Sequence, residues 1–300
     1  MIVLIMNFKK TAVFITLISL WLSNYFNEPS QQILAFFLIF SVGILHGSND
    51  LAIINKLKST KSLKQITLLF GSYVVTVVLA AALFYKFPFV ALAAFILFSG
   101  YHFGEQHWSD LVFVPNGLMK LLFTAYGLAV LSLLFFLNGP ETLEIISLLT
   151  SRNDFSEIWF LYGMTGCFGI TIILLGTLLV KKQIAVSRLL FELFLFLVFA
   201  IVFKYASLIW AFAIYFIFWH SIPSILEQLK YLYGDASTAA FKKYLRSSAI
   251  IWFISIGFIF LMLYLVKDDM QLFVPLFFAF LGAITFAHSF IITKMFSANK

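Results

Sequence analysis

Ten apolar stretches, divided by clusters of charge and turn residues, leave this chain no room for a soluble domain. A helix needs about 17–25 apolar residues to cross a bilayer. Segments of that kind can be cut at 11–26, 32–55, 66–86, 88–108, 119–137, 158–180, 188–204, 207–226, 247–266 and 272–293. The first is short and the boundary near Lys204 can be drawn in two ways, so eight to ten spans are expected. The chain is 62% hydrophobic and 11% charged, a balance outside the range of soluble globular domains. The expected fold is an all-α, polytopic membrane helical bundle of about eight to ten transmembrane helices. It forms a single integral-membrane domain over residues 1–300.

Charge orients the spans. Lys9 and Lys10, the group Lys56, Lys58, Lys61 and Lys64, then Lys181, Lys182 and Arg188 all fall on one side of a ten-span arrangement. Lys230, Lys242, Lys243, Arg246, Lys294 and Lys300 join them, whereas the opposite loops hold only Lys86, Arg152, Lys204 and Lys267 among several acids. Positive loops stay in the cytoplasm, so both termini are expected there. The formal net charge of +7 is thereby a topology signal, and no nucleic-acid partner is needed to explain it. The apolar run after Lys9 and Lys10 lacks a small-x-small cleavage pattern near Tyr25–Ser30 and reads as a retained anchor. The lone cysteine, Cys167, can form neither an intrachain disulfide nor a thiolate cluster.

Four histidines lie inside apolar segments: His46, His102, His220 and His288. They fall on the second, fourth, eighth and tenth spans, which all run from outside to inside. They sit roughly 18–24 Å from the outer face at about 1.5 Å per residue. An intramembrane ionisable residue is costly and usually functional. Imidazole is the commonest metal ligand, so several at one depth point to a shared metal or cofactor. Asp50 follows His46 by four and Glu105 follows His102 by three, which places each carboxylate on its histidine's helical face, where it either orients or charge-balances the imidazole or approaches the cytoplasmic interface and is solvated. His107, five positions after His102, points elsewhere and reads as an interfacial histidine. Pro223 cannot donate to the carbonyl of Trp219, so the eighth helix should kink beside His220. Glu192 reads as snorkelling or paired with Arg188. Gly163, Gly166 and Gly169 suit close helix contact.

The segments GILHGSND (43–50), YHFGEQHW (101–108), FWHS (218–221) and FAHS (286–289) resemble the Brp/Blh family. Its members are membrane-embedded β-carotene 15,15'-dioxygenases of bacteria and archaea. The resemblance covers nearly the whole chain in order and spacing. It implies a multi-pass protein of the cell (inner) membrane that cleaves the central double bond of β-carotene with O2 to two all-trans-retinal molecules. It also implies Fe(2+) as cofactor and a functional link to a microbial rhodopsin. The family's ligands carry over at His46, His102 and His220. Where the family commonly has a second histidine four residues after the first, this chain has Ser224. Either His288 completes the shell or three histidines suffice, and no further acid or base is required. Tyr101, Phe103, Trp219 and Phe286 neighbour the proposed ligands and are candidate walls of an aromatic tunnel that opens to membrane lipid. A polyene as long as the hydrocarbon core, about 30 Å, is expected to lie strongly tilted or in plane there.

Other classes remain open on sequence. A di-iron desaturase or hydroxylase would need about eight histidines in paired motifs, and five are present. A haem-binding electron-transfer protein would use two axial histidines. A transporter or carotenoid-binding protein would need no metal.

Overall fold

The computed structural model describes residues 2–57, 63–111 and 117–298. Every regular element among them is helical, as a lipid-embedded backbone without closed strands requires. The helices are α1 (Ile2–Ser23), α2 (Glu28–Leu57), α3 (Leu63–Lys86), α4 (Pro88–His107), α5 (Gly117–Leu137), the short α6 (Gly139–Thr150) and α7 (Ile158–Val180). They continue as α8 (Val186–Tyr205), α9 (Leu208–Tyr233), α10 (Thr238–Leu265) and α11 (Phe273–Ala298). Eight of them are long and apolar enough to cross a membrane: α2, α4, α5 and α7 to α11.

Boundaries differ from the sequence reading where a polar residue finds a partner. α1 starts earlier than residue 11 and takes Lys9 into the helix, where its ammonium donates to the His107 carbonyl at 2.9 Å. The stretch 138–157, expected as loop, contains α6, and α9 runs past residue 226 to Tyr233. Caps mark the other ends. Asn27 accepts from the Ser30 amide at 3.0 Å at the start of α2, Ser237 accepts from the Ala240 amide at 3.2 Å before α10, and Gly234 closes α9 with φ of 90°.

Two helices are irregular, and both carry a histidine. In α2 a π-helical turn, Ile39–Gly43, precedes the single turn Ile44–Gly47. The helix then breaks at Ser48 and Asn49 and resumes as Asp50–Leu57. In α9 the π-helical stretch Phe216–Ser221 contains His220 and ends just before Pro223. The proline lacks the amide that the Trp219 carbonyl would accept, so the ladder is interrupted where the sequence placed it.

The chain divides into two compact units, each assembled from separate stretches. The first holds Met1–Ile39, Ser99–Glu144 and Asn153–His220. In it α5 lies along α7 and α8, and α1 packs on α8. α4 approaches α5 unusually closely, because a Cβ on Gly104 would stand 1.9 Å from the Phe123 carbonyl oxygen and one on Gly127 1.9 Å from that of Gly100. A Cβ on Gly163 would stand 3.1 Å from Ser132 Oγ, whereas Gly166 and Gly169 face open space and make no close helix contact.

The second unit holds Phe40–Phe98, Ile145–Arg152 and Ser221–Lys300. Here α11 lies along α3 and the last turns of α2. Ile53, Ile54, Ile291, Ile292 and Met295 form its core, and a second cluster joins Ile225 and Leu229 to Ala240 and Tyr244.

Candidate functional site

The four intramembrane histidines are all buried and fall into two pairs, one within each unit. In the first unit the rings of His102 and His220 meet edge to face, with centroids 4.6 Å apart. Each offers a ring nitrogen within 4.8 Å of the other's. Phe103 flanks this pair, its ring 4.5 Å from His220, and Phe216 stacks on the same imidazole at 5.6 Å. The π-helical turn of α9 is what presents Phe216, Trp219 and His220 together, and such turns recur at functional sites.

In the second unit His46 and His288 meet edge to face at 4.8 Å between centroids. Both Nδ1 atoms are committed. That of His46 bonds the Gly43 carbonyl one turn back, and that of His288 bonds Asp50 Oδ1 at 2.7 Å. A carbonyl only accepts, and so does an ionised carboxylate, so Nδ1 donates in both rings and Nε2 carries the lone pair. Fixing a tautomer through one nitrogen while the other stays basic is how proteins prepare imidazole ligands.

Asp50 serves His288 rather than His46. The break at Ser48–Asn49 takes the two residues off the common helical face that their spacing predicts. Asp50 also accepts a hydrogen bond from the Tyr73 hydroxyl on α3. Glu105 is buried and accepts from Tyr101 at 3.0 Å. Tyr101 in turn packs edge to face on Phe123 at 6.1 Å.

His107 ends α4 with a side-chain partner inside the protein. It is buried, and its Nε2 lies 2.8 Å from Glu192 Oε2. Glu192 is paired with Arg188, one of the two outcomes expected of it: it accepts from Arg188 Nε at 2.7 Å and also from Tyr126 at 2.9 Å. Arg188 continues to Asp110 at 2.5 Å and lies over the Trp108 ring at 4.6 Å. This chain of charges is internally balanced, and the Lys9 ammonium adds a bond to the same turn of α4. Trp219, stacked at 6.4 Å from His107, donates to Thr16 on α1 at 2.9 Å and lies in the first unit's core.

An apolar cavity of about 740 Å³ lies in the second unit between α3 and α11. Tyr73, Ala80, Phe98, Phe286, Ala287 and Ile291 are among its lining. Of the four expected wall residues only Phe286 borders this cavity; Tyr101, Phe103 and Trp219 belong to the first unit. At 3.6 residues per turn, His288 points about 130° around α11 from the strip that lines it. The cavity therefore reaches the histidine through Tyr73 and Asp50, not directly.

Sequence reasoning missed a third group. Gln228 donates to the His46 carbonyl at 2.8 Å and to Ser224 at 3.0 Å, while Tyr244 donates to its amide oxygen at 2.9 Å. A glutamine amid the apolar positions of α9 was the available signal. Likewise Gly100 and Gly104, four apart on α4, marked the close approach to α5.

Helices of this length and these buried imidazoles define a multi-pass membrane protein with a histidine-based interior. The chain belongs to the beta-carotene 15,15'-dioxygenase family, whose model matches residues 37–296. The match takes in all four histidines and begins after α1. No curated protein and no solved structure matches the chain. Membership points to a carotenoid-cleaving dioxygenase acting on carotene.

Proposed function

We propose that the protein cleaves β-carotene at its central 15,15' double bond, taking both atoms of O2 into two molecules of all-trans-retinal. His46, His102, His220 and His288 would hold one Fe(II). The observation that carries this reading is the pairing of buried imidazoles in a chain of this family, one ring held by a carboxylate. The donor set fits the ion: neutral imidazoles with a fixed tautomer suit ferrous iron. When bound, such an ion with open positions supplies O2 activation.

The chain's own residues do the rest. Asp50 orients His288 and keeps its Nε2 basic. Phe103 and Phe216 shield His220 from water and limit side reactions of oxidised intermediates. Phe103, Tyr101, Trp219 and Phe286 are the proposed polyene contacts, and Glu105 orients the turn of α4 through Tyr101. The substrate arrives from lipid, in the inner membrane with both termini cytoplasmic, and the retinal supplies a microbial rhodopsin.

The test is expression in a β-carotene-accumulating bacterium. Loss of orange colour with stoichiometric retinal is expected. Unchanged pigment in membranes that contain the intact, iron-loaded protein would overturn the reading.

A further inference from the structure

The His46 carbonyl lies at the break in α2. There the Ser48 amide turns back to Leu45 at 3.2 Å, and the chain restarts as a helix at Asp50. One side chain from another helix, Gln228 on α9, donates to that carbonyl at 2.8 Å, and the Tyr244 hydroxyl on α10 lies 3.4 Å from it. A carbonyl in an apolar interior needs such a partner, because leaving it unmade costs the full desolvation of the group.

The amide that reaches it has no freedom of its own. The His46 carbonyl can only accept, so the Gln228 nitrogen faces it, and the amide oxygen at the other end accepts from Tyr244 at 2.9 Å. The amide hydrogens go to His46 O and to Ser224 Oγ at 3.0 Å. The same assembly grips the break from its other side. Asn49, inside the break, donates to the Tyr244 carbonyl at 3.1 Å and accepts from Ser247 at 2.5 Å. Ser224, Gln228 and Tyr244 are fully buried. A satisfied polar network of this kind, set in apolar surroundings, specifies one local geometry and is sensitive to the loss of any member.

We propose that Gln228, with Tyr244 and Ser224 holding its amide, is the positioning residue for the His46–His288 pair. It caps α2 at the break. It thereby sets both where the His46 imidazole stands and how far beyond it Asp50 emerges to meet His288. This deepens the proposed function, since it rests on His46 and His288 being metal ligands. Gln228 and Tyr244 act through the backbone of α2.

The experiment uses the purified full chain loaded with Co(II), whose visible absorption reports ligand number and geometry. Wild type should give an intense tetrahedral or five-coordinate spectrum; failure to bind Co(II) at all would count against the histidine site itself, and not against the role of Gln228. Gln228→Met keeps the volume and removes the amide. It should alter the band pattern and weaken Co(II) affinity by about tenfold, the lower end of what outer partners of ligands contribute. Tyr244→Phe removes only the hydroxyl that orients the amide and should shift the spectrum in the same direction by less. It also serves if Gln228→Met fails to accumulate. Asn138→Leu is the comparison, since Asn138 bonds the Leu134 and Phe203 carbonyls in the first unit. That variant should lower thermal stability with the Co(II) spectrum intact. If Gln228→Met or Tyr244→Phe behaves like Asn138→Leu, less stable but spectroscopically unchanged, the assembly is a structural brace and the proposal fails.

Discussion

Asp50 Oδ1 and His288 Nδ1 stand 2.7 Å apart across 238 residues of chain. The bond joins the restart of α2 to the middle of α11 and makes the carboxylate the partner of a histidine far from it in sequence. Asp50→Asn keeps the shape and removes the charge, so iron affinity should fall by roughly 10–100-fold. Combining it with His288→Ala should cost little more than His288→Ala alone, because the two act as one unit. Metal titration of the three variants checks this, and full additivity would separate the residues.

His46→Ala, His102→Ala and His220→Ala should each abolish iron retention and retinal formation while the protein still inserts, since each is one residue in a long apolar helix. His288→Ala decides the ligand number. Retained iron with lowered occupancy would mean a three-histidine shell supported by His288, and complete loss a four-histidine one. Iron content per chain in purified protein is the readout.

His107→Phe should leave iron content unchanged, because its Nε2 is committed to Glu192. Glu192→Gln should be far more damaging to the fold. Removing one partner from a buried ionic cluster costs about 3–5 kcal/mol, and here Arg188 and His107 lose it together. A lower unfolding temperature in detergent, with the metal spectrum intact in whatever folds, is the expected result.

Asp110 lies beyond the end of α4 and gives the protein an acid limb. Burial alone would raise its carboxyl, but the Lys9 charge and the Arg188 hydrogen bonds outweigh that and hold it below the ordinary carboxylate value. The stability it contributes is full above the unfolded value of about 3.9. It is lost as pH falls through the lower folded value. Asp110→Asn should flatten the decline in stability below about pH 4, measured by thermal unfolding across a pH series.

Gly104→Ala should uncouple α4 from α5, since its Cβ has no room beside the Phe123 carbonyl. Iron retention should drop through displacement of His102, two residues away, whereas Gly166→Ala, facing open space, should be silent. Accumulation and iron content of the two variants form a matched comparison.

The helices were legible in the sequence because hydropathy and charge act locally, residue by residue along each span. The four histidines were legible for the same reason, as costly groups in apolar runs. What a regular helix would have predicted for Asp50 was undone at Ser48–Asn49, where the helix breaks under restraint from Gln228 and Tyr244. No local pattern announces a partner nearly the whole chain away. The Glu192–Arg188 pairing was legible because the two stand one turn apart on α8, whereas His107, Tyr126 and Lys9 reach this cluster from three other helices and no local pattern announces them.

The second unit's dependence on α11 imposes an order on biosynthesis. At about 5–20 residues per second, Asp50 enters the membrane on the order of 10–50 seconds before the ribosome has made the imidazole it will hold. During that interval a carboxylate, a histidine and the His46 carbonyl at the interrupted helix must be kept from wrong partners by lipid, translocon or each other. Insertion of α11 is thus the event that commits the chain, and a stalled or shortened nascent protein would expose its most polar interior residues to the bilayer.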